Sequence, residues 1–130
     1  MDLISVEQEN GTKVNVSIRK HGFSSDMSSQ DGGEDRAPSP AELLVGSLGA
    51  CIAMVINRYC VAHKYDSEGI NVSLTFELDK DPKRIKAITA DVELPKNFPQ
   101  DRRDAVKRVI ETCPIHNTLH NPPQIDVEVV

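Results

Sequence analysis

At 130 residues the chain is about one domain long, and 20 acidic against 15 basic residues leave a formal net charge of −5. That balance argues against a general attraction to nucleic acid, and with no Trp, 2 Tyr and 3 Phe there is little to stack on bases. Three cysteines without a Cys-x-x-Cys pattern make no disulfide framework, so any chemistry they carry relies on pairs brought together by folding.

The N-terminal "MDLISVEQEN" lacks a basic region followed by an apolar core and does not read as a signal peptide. "LISVEQE" and "KVNVSIRK" flank "NGT", and Asn-Gly is a strong hairpin signal. Val14, Val16 and Ile18 alternate with polar residues and give one apolar face. "HGFSSDM" has room for a third short strand. "SSQDGGEDRAPSP" is a loop by composition, rich in turn formers.

A helix is expected from Ser39 to about His63. Ser39 suits the N-cap, Pro40 the first helical position, and Glu42 the reciprocal position of a capping box. Leu44, Val45, Leu48, Ile52, Val55, Ile56 and Tyr59 share one face at helical spacing. Gly46 and Gly49 each cost about 1 kcal/mol relative to Ala inside a helix, which suggests another backbone close by. The run "LLVGSLGACIAMVI" has 14 residues, too short to span a bilayer, so no membrane partner is expected. A soluble, cytoplasmic protein is the plain expectation.

"INVSLTFEL" and "IKAITADVEL" alternate apolar and polar residues around the turn "DKDPKR" and predict a second hairpin. "DRRDAVKRVIET" is amphipathic and ends at "TCP", because Pro114 disfavours helical geometry at Cys113. "PIHNTLH" restarts a short helix, and "IDVEVV" reads as a last strand. Local strand pairing makes this an α+β chain. No repeat, phosphate loop or linker divides it, so one domain over residues 1–130 is expected.

A thiol becomes nucleophilic when a cation or a helix N-terminus stabilises its thiolate, and an apolar setting opposes this. Cys51 lies deep in its helix and could simply pack as a small hydrophobe. Cys113 stands at a helix start, where it could react or merely cap. Cys60, late in the long helix, reads as packing. Cys113, His116 and His120 could make an open zinc site by spacing, but no fourth ligand or orienting carboxylate accompanies them.

"GGEDRAPSPAELLVGSLGACIAMVI", followed about sixty residues later by "CPIHNTL", resembles the OsmC/Ohr family of thiol-dependent peroxidases, in particular its branch marked by "PSPxELLxxxLGxC" and "CPxHxTL". The resemblance covers nearly the whole chain. It implies antiparallel sheets wrapped around long central helices in an intertwined homodimer. It implies a peroxidatic Cys51 and a resolving Cys113. The substrate would be an organic hydroperoxide or H2O2, and the reductant a dithiol, lipoyl-type or other. It implies no metal and no organic cofactor.

The sequence departs from the Ohr branch at two points. Where that branch has a Glu ten residues before the reactive Cys, this chain has Ala41, with Glu42 one step on and about 100° around the helix. The arginine-bearing "GGRDG"-like loop of that branch is also missing. Arg36 is then the first substitute for the activating cation, and Arg19 the second. The alternative from a different class is a dimeric binding protein of the same fold, without efficient turnover, whose cysteines line an apolar pocket.

Overall fold

The structure is a computed structural model that describes residues 3–130. Two compact units divide the chain, Met1–Leu44 and Val45–Val130.

In the first unit, β1 (Ile4–Asn10), β2 (Lys13–Ile18) and β3 (His21–Ser25) form an antiparallel sheet in that order. The first turn is Gly11-Thr12, with Asn10 still in β1 and paired with Lys13. Gly11 takes φ +56°, a left-handed conformation that favours glycine there. Arg19 lies in the β2–β3 turn at φ +52°, not within a strand as its sequence context suggested.

The loop after β3 is tied down by one carboxylate. Asp26 is 1% exposed, and its two oxygens accept from the Thr12 hydroxyl, the Met27 and Arg36 backbone N–H groups and the Arg36 Nε. Ser25 Oγ also donates to the Pro38 carbonyl at 2.8 Å. The motif glycine Gly33 is needed here, because a Cβ would overlap the Met27 backbone carbonyl.

Helix α1 (Pro40–Ala62) starts as its first residues predict. The Ser39 N–H donates to Glu42 Oε1 at 2.9 Å, and the Glu42 N–H donates to Ser39 Oγ at 3.2 Å, a complete capping box. At 23 residues, α1 is long and apolar enough to cross a bilayer, although its longest apolar run looked too short. Its buried face instead belongs to a packed core. Leu48, Ile52, Val55, Ile56 and Cys60 cluster there with Phe98, Val106 and Cys113. Leu44, expected on this face, is 42% exposed.

Strands β4 (Asn71–Lys80) and β5 (Lys83–Glu93) form the second unit's hairpin. Val72, Leu74 and Phe76 pair with Val92, Ala90 and Ile88, so the alternation read from the sequence makes one continuous apolar face. Val72, Leu74, Ile88 and Val92 pack on the core. Leu74 reaches Gly49 so closely that a Cβ there would lie 2.5 Å from Leu74 Cδ1. The close neighbour at Gly49 is thus a side chain rather than a backbone, and at Gly46, apart from its chain neighbours and its own helix backbone, no described residue lies within 4 Å of a Cβ. Helices α2 (Arg103–Ile110) and α3 (Pro114–His120) follow.

The expected strand "IDVEVV" does not form. Residues 121–130 belong to no element and are all exposed. A strand needs a neighbour to take its N–H and C=O groups, and among the described residues no strand pairs with this segment.

Candidate active site

Cys51 and Cys113, 62 residues apart in sequence, are joined by a disulfide with a Cα–Cα distance of 6.0 Å. That separation is ordinary for a disulfide. Each partner is placed by its local sequence. Cys51 sits three turns into α1, half-buried, beside the core face that Leu48, Ile52 and Val55 define. Cys113 is fully buried at the N-cap of α3. Pro114 holds it out of α2, and its own N–H donates to the Ile110 carbonyl at 3.0 Å. Its Sγ accepts from the His116 N–H at 3.4 Å. Cys113 thus both caps α3 and is bonded to Cys51.

Cys60 is free and fully buried, and burial, helped by the charge on Asp66, pushes its thiol above the usual range. A buried, poorly ionised thiol fits the packing role read from its position. Among the described residues, no group of three or more His, Cys, Asp or Glu side chains could hold a metal ion. His116 and His120 do meet, with ring centroids 4.4 Å apart. Among the described residues, His116 Nδ1 is buried with no hydrogen-bond partner.

The two other candidates have firm partners. The Arg36 Nε is 3.2 Å from Asp26, its Nη1 donates to Asn10 Oδ1 at 2.9 Å, and its Nη2 donates to the Asn10 carbonyl at 3.2 Å. Thr12's hydroxyl above all, with the Arg36 backbone and side chain, holds the Asp26 carboxyl well below the usual carboxylate range against the opposing effect of burial. Glu42 is engaged in the capping box, and the Ser39 bonds lower its pKa.

Sequence reading did not find Asp26. It stands at the end of a segment read only as a strand, and its partners come from two other segments. For His116 the sequence offers a surface or packing role ahead of zinc ligation, and no signal in it marks a buried ring nitrogen. The nearby groove of about 200 Å3 between α1 and α2 has Val55, Arg58, Tyr59, Val109 and Thr112 among its walls and neither bonded cysteine.

The fold and the bonded pair define a small α+β protein with a disulfide between its long helix and a short one. Residues 32–128 match the family of OsmC-like proteins, and the chain belongs to that family. Solved structures share its fold. A Psychrobacter arcticus protein described by osmotic stress induction and detoxification response has a TM-score of 0.84 at 18% identity, over 91% of this chain and 88% of that one. The organic hydroperoxide resistance protein OsmC of Legionella pneumophila gives 0.73 at 18% identity, over 92% and 88%. The organic hydroperoxide resistance protein OhrB of Bacillus subtilis gives 0.60 at 14% identity, over 93% and 92%. A comparison with curated protein sequences finds no match.

Proposed function

We propose that the chain is a cysteine-based hydroperoxide reductase. The observation that carries this reading is the Cys51–Cys113 disulfide, which joins the family's two cysteine motifs. The Cys51 thiolate attacks the outer oxygen of the hydroperoxide and the O–O bond breaks. The alcohol, or water from H2O2, leaves with a proton, and Cys51 becomes a sulfenic acid. The Cys113 thiol displaces hydroxide from that sulfur, water departs, and the disulfide forms. A dithiol then returns two electrons and two protons by exchange and closes into its own disulfide.

In this reading Cys51 and Cys113 are the catalytic residues. Arg36 is engaged by Asp26, Glu34 and Asn10, and Glu42 fixes the start of the helix that carries Cys51. The weight therefore rests on the two cysteines. Residues 1–130 act as a single OsmC-like domain in a cytoplasmic homodimer. A partner subunit is supported by the apolar surface this chain leaves open. Ile4 and Val6 on β1 are each 59% exposed, Met54 and Val61 on α1 are 66% and 61% exposed, and Gly46 faces open space.

The test is turnover of cumene hydroperoxide with dithiothreitol or dihydrolipoamide as reductant. Wild type is expected to consume peroxide catalytically. Cys51→Ser should lose all activity, and Cys113→Ser should form no internal disulfide and turn over only as fast as the reductant itself attacks the Cys51 sulfenic acid. Equal consumption by wild type and Cys51→Ser would overturn the proposal.

A further inference from the structure

Buried polar atoms without a partner are rare and call for a reason. His116 Nδ1 is such an atom, three residues from a redox-capable sulfur. In a capping box the side chain at the third helical position turns back to the N-cap N–H. That role is closed here, because the Cys113 N–H is already given to the Ile110 carbonyl. Helical side chains lean toward the helix N-terminus, which directs the His116 ring back toward Cys113. The chemistry of the sulfur then explains the orphan. In the disulfide, Cys113 Sγ has no S–H to give and is a weak acceptor. Once reduced, it offers either an S–H donor or a thiolate acceptor.

We infer that His116 is a positioning residue for the reductive half of the cycle, its Nδ1 gaining Cys113 Sγ as a hydrogen-bond partner when the disulfide opens. This rests on the disulfide cycle proposed above. Exposure sets the direction of the exchange. Cys51 is half-buried and Cys113 fully buried, so the reductant's thiolate attacks Cys51 Sγ. The Cys51–Cys113 bond breaks, and Cys113 leaves with the electron pair as a thiolate. The His116 backbone N–H already points at that sulfur, and Nδ1–H adds a second donor. A stabilised leaving thiolate departs faster. The reductant's second thiol then displaces Cys51 from the mixed disulfide. Its two protons end on Cys51 and Cys113, and it becomes a disulfide.

The experiment starts from disulfide formed with diamide, so it does not depend on any reaction with peroxide. Reduction by excess dithiothreitol is followed by quenching and alkylation in wild type, His116→Phe and His116→Asn. His116→Phe should slow the reduction by about 10-fold or more, and His116→Asn, whose amide can donate near the Nδ1 position, should recover most of the rate. In parallel, nitrogen NMR of histidine-labelled wild type should show the His116 Nδ1 signal shift between oxidised and reduced protein by more than that of His120. Wild-type reduction rates in His116→Phe, no rescue by His116→Asn, or an unmoved Nδ1 signal would overturn the inference. Failure of peroxide to form the disulfide would instead count against the peroxidase reading alone.

Discussion

Asp26 gathers four donors from three segments of the first unit: the Thr12 hydroxyl, the Met27 N–H, and the Arg36 N–H and Nε. All of them want an acceptor, so only the ionised carboxylate satisfies the set. Its pKa is lowered in the fold, chiefly by Thr12. The stabilisation is therefore fully present above the unfolded carboxylate value of about 3.9 and is lost as pH falls from there toward the lowered folded value. Asp26→Asn puts an amide donor against these donors. Thermal melts should show the variant less stable than wild type at pH 7, with the gap narrowing below about pH 4. A gap that stays constant down to pH 2.5 would contradict this account of the loop. Arg36 reads as a free cation beside a helix start in the sequence, but besides Glu34, two residues before it, it is held by Asp26 and Asn10, which no local pattern links to it.

At the scale of elements, local signals were the legible ones. Ser39-Pro40-Ala41-Glu42 placed the start of α1, because a capping box involves only neighbours in sequence. Alternation placed β4 and β5 and their shared apolar face for the same reason. The Cys51–Cys113 pairing lies 62 residues apart and could not be read from spacing. It came from resemblance of the two motifs to a family. Gly49 shows how packing between elements refines a sequence rule. Its helical cost signalled a close neighbour, and that neighbour is Leu74 of β4. Gly49→Val must push Leu74 aside within the core, and urea denaturation should show a loss of about 1–3 kcal/mol, typical of overpacking. An unchanged or higher midpoint would mean that β4 does not press on α1 there.

At the scale of the whole molecule, the one expected strand that failed to form is informative. Ile125, Val127 and Val129 keep the strict alternation of a strand, yet they are 77%, 84% and 98% exposed. All seven residues of β1, an edge strand, are also exposed. Exposed edges and apolar alternation are liabilities unless something pairs with them. In the proposed homodimer each subunit would lend its partner the strand that a single chain lacks. Light scattering should give twice the 14.3 kDa chain mass at micromolar concentration. Removal of residues 121–130 should lower that mass or the stability of the assembly. A monomeric full-length protein would contradict the proposed assembly and leave the missing strand without an explanation.

The central claim is that Cys51 and Cys113 form a working redox couple. Its most direct test is a thiol count by mass spectrometry on fully reduced protein, before and after one equivalent of cumene hydroperoxide or H2O2, in wild type and Cys51→Ser. The account predicts rapid loss of two hydrogens and a linked Cys51–Cys113 peptide that is absent from the variant. If all thiols survive excess peroxide unchanged, the couple does not react with peroxide. Cys51 is then a packing or pocket residue, and a dimeric binding protein becomes the better description of the fold.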